Sequence, residues 1–408
     1  MDRRDVLRGA GAGLIAGFVP WRANAQTAHK PIGYLRTNWS RDPYAFGSYS
    51  YIAKGARKRD HRRLARSIED RIFFAGEAAN SRRNSTVHAA YESGQRAAEE
   101  VLSTDAQTVG IIGAGMSGLS AAYKLSNAAR TVTVLEARDR IGGRIWTDSR
   151  LGPAFDLGAS WIHGVVNNPL TDLSNELNLI RIPTDDTYIV RGRDGRVIPD
   201  RDAPDWLENV TEIQHSAGAD QSEINAWAYW NYSDYGGGDV KFQNGYSEIF
   251  EALNGAYEIQ LNRMVKGISL QGTGVSVGSI NGISDVFDAV IVTLPLGVLK
   301  QGVVEFDPPL PAPKREAIER LGMGLLDKVY LQFEEVFWDP DTTWIATPEN
   351  DLPQGQFNEW LNFAKYINEP VIMAFNGGPP AFELSGLSDE DMVSLALQTL
   401  DLAYPQAS

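Results

Sequence analysis

Cysteine is absent from these 408 residues. Its absence removes disulfides, thiolate metal sites, a catalytic thiol and any cysteinyl link to a cofactor. Histidine is scarce, and its five scattered copies show no metal-ligand spacing, so no metal is expected. Long apolar runs are missing too. The run from Ala10 to Val19 is too short to span a bilayer comfortably, and no stable membrane anchor is expected. Positive charge is not in excess: the net charge is −14, which speaks against nucleic acid as a partner. The charge is uneven. Residues 1–102 hold about eighteen Lys/Arg against ten Asp/Glu, leaving roughly −22 on the remainder. An acidic body of that kind either attracts a cationic substrate or only keeps the protein soluble.

What is present fits a globular enzyme. The chain is 43% hydrophobic and 22% charged, and its length allows two domains. Residues 1–27 read as an export leader, with Arg3-Arg4, a short apolar run and the small-x-small site Ala23-Asn24-Ala25. The paired arginines favour the twin-arginine export machinery. A soluble bacterial protein of the periplasm or outside the cell is expected.

Along the chain, KGARKRDHRR lacks apolar periodicity and reads as a solvated basic loop. RIFFAGEA is a short apolar strand ending in a glycine turn. Ser85-Thr86 caps a helix ending near Leu102, whose Ala89, Ala90, Gly94, Ala97 and Ala98 permit close packing. This helix looks like the end of a protein. Yet after the polar linker STDAQT comes a βαβ unit: TVGIIGAG, SGLSAAYKLSNAA and TVTVLEA. AVIVTLP is another buried strand. KVYLQF alternates, with Lys328, Tyr330 and Gln332 on one face and Val329, Leu331 and Phe333 on the other. SDEDMVSLALQTLDLAY is a capped amphipathic helix.

Gly113, Gly115 and Gly118 have G-x-G-x-x-G spacing. The first allows a tight turn, the second close approach to a pyrophosphate, the third close packing of helix on strand. Glu136, at the end of the second strand, is placed to accept hydrogen bonds from ribose hydroxyls. Arg144, after Gly142 and Gly143, can fold back onto phosphate oxygens.

On GAGMSG, LEARDRIGGR, FDLGASWIHG, VIVTLPLGVL and KVYLQFEEVFWDP, in that order, the chain resembles the flavin-containing amine oxidases. NWSRDPYAFGSYSY and FFAGEA…TVHAAYESGQRAA resemble the segments with which that family ends. The WIHG and GSYSY forms are most similar to polyamine and spermine oxidases. The resemblance implies an α/β fold. A Rossmann-like FAD-binding domain of the amine oxidase type would take residues 31–165 and 240–305. A discontinuous sheet-and-helix substrate domain would take 166–239 and 306–408. Its departure is order, because residues 31–104 stand first where the family has them last. A circular permutation is expected, with Pro31 and Ser408 marking the family's interior join.

The resemblance also implies the chemistry. A small-molecule amine, foremost a polyamine, gives up a hydride to FAD, and dioxygen reoxidises the flavin to give hydrogen peroxide. L-amino-acid or monoamine oxidation, or flavin binding without turnover, stays open at this stage. Lys328 matches the lysine that holds a water near the flavin. Tyr49 and Tyr91 match the aromatic residues flanking the amine, and His163 a histidine at the tunnel mouth. Ser48 stands where monoamine oxidases carry their flavin-linked cysteine, so non-covalent FAD is expected. Gly76, Glu77, Thr86, Val87 and Trp39 match flavin-binding positions of the closing segment. Gly113, Gly115, Ser117, Gly118, Glu136, Arg138, Gly143, Arg144 and Val265 match the dinucleotide side. Ala159, Ser160 and Trp161 match the opposite face of the flavin.

Overall fold

The computed structural model describes residues 29–232 and 234–406, so the expected leader and Ser408 lie outside the described residues. In chain order, the strands of its two main sheets begin with β1 (Gly33–Arg36), β2 (Ile72–Phe74), β3 (Thr108–Ile112), β4 (Thr131–Leu135) and β5 (Tyr188–Val190). They continue with β6 (Glu258–Gln260), β7 (Ala289–Val292), β8 (Leu326–Gln332), β9 (Trp344–Ala346), β10 (Glu359–Asn362) and β11 (Val371–Gly377).

The first sheet is wholly parallel, in the order β6-β4-β3-β7-β2. Parallel strands are covered on both faces, which is why TVGII, AVIV and IFF are apolar runs rather than alternations. Helices α1 (Val87–Leu102) and α2 (Met116–Asn127) pack on each other and, through Ala97, Val101, Leu119 and Ala122, against Val109 and Ile111 of β3. Gly94 makes this approach possible. A Cβ there would lie 2.1 Å from both the Ser117 carbonyl oxygen and Ser120 Oγ. The helix that looks like an ending therefore lies directly on the helix that opens the βαβ unit.

The second sheet has the order β1-β8-β11-β10-β9-β5, antiparallel except between β9 and β5. Val329, Leu331 and Phe333 enter a core beneath the helix Asp389–Ala403. Ser388 Oγ caps that helix by accepting from Asp391 N at 3.1 Å.

Two expectations need correction. β1, grouped by the sequence with the dinucleotide part, pairs instead with β8, from Gly33 opposite Gln332 to Arg36 opposite Val329. Its Leu35 is buried with Phe155 and Tyr330, a contact no local pattern encodes. The basic run is not a loop, because Lys58–Ala65 is helical. Its buried face is Asp60, His61 and Leu64, so it shows no apolar stripe. Lys314 Nζ donates to the carbonyls of Leu64 and Arg66 at 2.5 and 2.7 Å, satisfying the helix C-terminus from 250 residues away.

Candidate functional site

A cavity of ≈ 1430 Å³ runs from the carboxyl ends of β3 and β4 to the face of the antiparallel sheet. Open α/β sheets place ligands at the carboxyl ends of their strands.

At that end Gly113 has φ +109°, outside the range of side-chain-bearing residues. Gly118 does not line the cavity; a Cβ there would sit 1.9 Å from the Gly113 carbonyl oxygen, so it serves the close packing of turn and helix. Gly142 N donates to Ala114 O at 2.8 Å, laying the second glycine turn against the first. Ser117, in the first turn of α2, lines the cavity, and its buried Oγ has no partner among the described residues. Glu136 takes Ala114 N and Arg138 N at 2.7 and 2.8 Å, which fixes its carboxylate at the cavity wall. A glycine turn opening a helix N-terminus beside a carboxylate suits a dinucleotide, its pyrophosphate on the first and its ribose on the second.

α1 presents its N-terminus to the same cavity. Thr86 Oγ1 accepts from Ala89 N at 3.2 Å, while Thr86 and Val87 line the wall. Glu77 also lines it, but its carboxylate is committed inward. It accepts Ser50 N at 3.2 Å, Ser50 Oγ at 2.6 Å, Ser85 N at 3.0 Å and Arg144 Nη1 at 2.9 Å. Burial alone would raise its pKa, yet Arg144 and these donors hold it below the usual carboxylate range. Glu77 thus orients Arg144, which also donates to Ser48 O at 2.9 Å. Arg138 is likewise held, bidentate on Asp42 at 2.8 and 2.9 Å.

At the other end Lys328 is buried on β8. Its Nζ donates to Asp156 O at 2.8 Å, Gly158 O at 2.7 Å and Ser160 Oγ at 2.6 Å. Burial pushes its pKa far below that of free lysine, and a second buried lysine, Lys241, pushes the same way against Asp156. Lys241 is brought down to about 8 by burial and lies 4.2 Å over the Trp161 ring. Trp161, Trp344 and Phe375 form an aromatic wall with centroids 6.1–6.3 Å apart. Carboxylates surround this end: Asp186, Glu208, Glu212, Asp234, Asp239 and Glu359 all line the cavity. Burial, then Glu359, Glu208 and Asp186, raise the pKa of Glu212. The lining arginines, Arg138, Arg144 and Arg263, are each paired with a carboxylate.

The cavity brings together Lys328, His163, Tyr49, Trp39, Gly76, Glu77, Thr86, Val87, Gly113, Gly115, Ser117, Glu136, Arg138, Gly143, Arg144, Ala159, Ser160, Trp161 and Val265. Tyr91 is corrected here: like Gly118, it does not line the cavity. Ala90 faces the wall, and Tyr91, about 100° further round the helix, packs into the core beside Tyr123. Tyr49 lines the wall but donates its hydroxyl to His215 O. His163 is half exposed, with Nδ1 2.6 Å from Asp239 Oδ2. His215, Glu359, Phe375, Lys241 and Asp156 escaped the sequence reading. Asp156 lies within FDLGASWIHG but is not singled out by it, the others lie in unremarkable local contexts, and only tertiary packing places them side by side.

The chain is similar in sequence to known proteins. The family profile described as flavin containing amine oxidoreductase matches residues 14–102, 116–209 and 217–408. Polyamine oxidase 4 of Oryza sativa subsp. japonica is 32% identical over 360 residues, covering 73% of each chain. Polyamine oxidase 2 of Arabidopsis thaliana is 30% identical, covering 76% of this chain and 75% of its own. Lysine-specific histone demethylase 2 of Homo sapiens is 26% identical over 72% of this chain and 43% of its own.

Proposed function

The chain belongs to the flavin containing amine oxidoreductases, and on that premise we propose that it oxidises linear polyamines, with dioxygen reduced to hydrogen peroxide. The reading is carried by the charge of the substrate end. Eight lining carboxylates, the six above with Asp200 and Asp205, and an aromatic wall suit a flexible polycation, and every lining arginine is already paired, leaving none to grip an amino-acid carboxylate.

FAD, when bound, accepts a hydride from the carbon beside the amine nitrogen, and dioxygen restores it. Gly113, Gly115, Ser117 and the α2 N-terminus would hold the pyrophosphate of a Rossmann-like site, Glu136 the ribose, and Val265 the adenine. Thr86, Val87, Trp39 and residues 159–161 would hold the flavin. Lys328 fixes the 156–160 loop from beneath. Ser48 Oγ is bound to the backbone of Leu326 at 2.9 and 3.0 Å, and with no cysteine in the chain the FAD is held non-covalently. Acid-precipitated protein is expected to release its yellow colour. Anaerobic mixing with spermine or spermidine is expected to bleach the flavin. Bleaching by aromatic monoamines or L-amino acids alone would defeat the polyamine reading.

We also infer that residues 31–104 are the family's closing segment moved to the front. Three contacts support this: β2 beside β7, α1 on α2, and Glu77 on Arg144. The ends left by such a move are close, since His29 Nδ1 lies 2.8 Å from Asp401 Oδ1. A chain with 31–104 relinked after Ser408 is expected to bind FAD with the same visible spectrum. A colourless relinked protein beside a yellow original would count against the permutation.

A further inference from the structure

Residues 54–66 carry seven Lys/Arg against one acid, Asp60, which is buried and paired with Arg63. Lys54, Arg57, Arg59, Arg62 and Arg66 are exposed, and none of the five has an ion pair among the described residues. Arg59 and Arg62, three apart on the helix Lys58–Ala65, share its outer face, away from the buried His61 and Leu64. On a chain of net charge −14 this is a local reversal of sign.

A second exposed feature adjoins it. The short helix Ala226–Trp230 turns Ala228 inward and leaves Trp227 and Trp230 69% and 71% exposed. Asn225 Nδ2, at its start, donates to Ala56 O at 2.9 Å. Lys58 Nζ donates to Asn231 O, just past its end, at 3.1 Å. The aromatic helix therefore lies along the opening turn of the basic one. Beyond it Tyr232 Oη donates to Asn84 O at 3.0 Å, which brings in the exposed Arg82 two residues earlier. The acids beside the patch are tied into their own turn: Asp220 Oδ1 accepts Ser222 N at 2.8 Å, and Glu223 Oε2 accepts Asp220 N at 3.0 Å. Adjacent tryptophans held out in water and rimmed by charge mark a contact surface.

Charge and shape together select the partner. Tryptophan rings settle at the headgroup level of a bilayer, and lysine and arginine beside them are drawn to anionic headgroups. A polyanion without an apolar layer would satisfy the cations alone. We propose that the basic helix, with Trp227 and Trp230, is a peripheral docking surface for a lipid bilayer rich in anionic headgroups. No helix among the described residues is long and apolar enough to cross a membrane, so the contact is reversible and stays in the interface. The acidic remainder of the chain orients the protein, because the surface that attracts the patch repels it. Trp230 is both exposed and part of the cavity wall, so docking brings that edge of the cavity to the headgroups, where cations gather. Docking does not depend on the reaction in the cavity and is measured without turnover.

The test sediments purified protein with vesicles. At about 0.1 M salt the protein is expected to bind phosphatidylcholine vesicles holding about 30% phosphatidylglycerol and to ignore pure phosphatidylcholine. Binding should fade at about 1 M salt. Arg59→Gln/Arg62→Gln should weaken it by roughly 30-fold, a factor of about five for each cation. Trp227→Ala should weaken it several-fold and reduce the quenching of tryptophan emission by brominated acyl chains. None of the three positions lines the cavity, and both variants should keep the wild-type Tm. Protein that ignores anionic vesicles, binds them without quenching, or binds equally well without Arg59 and Arg62 overturns the proposal. Retention on heparin without vesicle binding overturns it in favour of a soluble polyanion.

Discussion

Methionine in place of Lys328 is expected to slow amine-dependent turnover on the order of 10³-fold while leaving FAD bound. Lys328 Nζ satisfies the carbonyls of Asp156 and Gly158 and the hydroxyl of Ser160. It thereby fixes the loop that carries Ala159, Ser160 and Trp161 to the cavity wall. Methionine matches its length but leaves two buried carbonyls without their donor, at about 1–3 kcal/mol each. The protein survives because the substitution does not strand a buried charge. Two lysines face one carboxylate in this cluster, and Asp156 keeps Lys241. Reduction by spermine and reoxidation by dioxygen, followed separately by rapid mixing, locate the loss. Wild-type rates in both steps would remove Lys328 from the mechanism.

The second large effect is expected at Glu77, whose replacement by alanine should give colourless protein. The carboxylate ties three separated pieces of chain together, taking Ser50, Ser85 and Arg144. Breaking a buried ion pair by deleting one partner costs about 3–5 kcal/mol, and Arg144 is then free to turn away from the cavity. Glu77→Gln keeps the shape and loses only the charge, so it separates folding from electrostatics. Its pKa is held below that of a free glutamate. The stabilisation is therefore complete above the unfolded pKa of about 4.3 and is lost as pH falls through the lower folded value. Wild-type protein should shed flavin in that acid window, and Glu77→Gln should show a shallower acid step. Yellow Glu77→Ala protein with an unchanged Tm would refute this account.

The features legible in the sequence share a physical trait: each is a constraint acting over a few residues. Gly113 must adopt φ +109°, and Gly118 must leave room for a carbonyl five residues earlier. Both demands appear as glycine at fixed spacing. The apolar runs of β3 and β7 record burial on both faces, and the alternation in β8 records burial on two different cores. Tyr91 marks the limit of this approach, because one position along a helix decides between cavity wall and core.

By itself the sequence determined the glycine turn and the buried strands through spacing and patterning, the family through motifs such as GAGMSG and FDLGASWIHG, and the absence of thiol chemistry through composition. Only the tertiary structure decided that the basic run is a helix, since Lys314 satisfies its end from 250 residues away. Only the tertiary structure set Lys328, Phe375 and Glu359 in one row, with His215 above Phe375 and Glu359 and Lys241 beside Trp161. Strand pairing is a long-range interaction whose register depends on partners far along the chain. A buried lysine, histidine or glutamate carries no local mark of the charge it will meet.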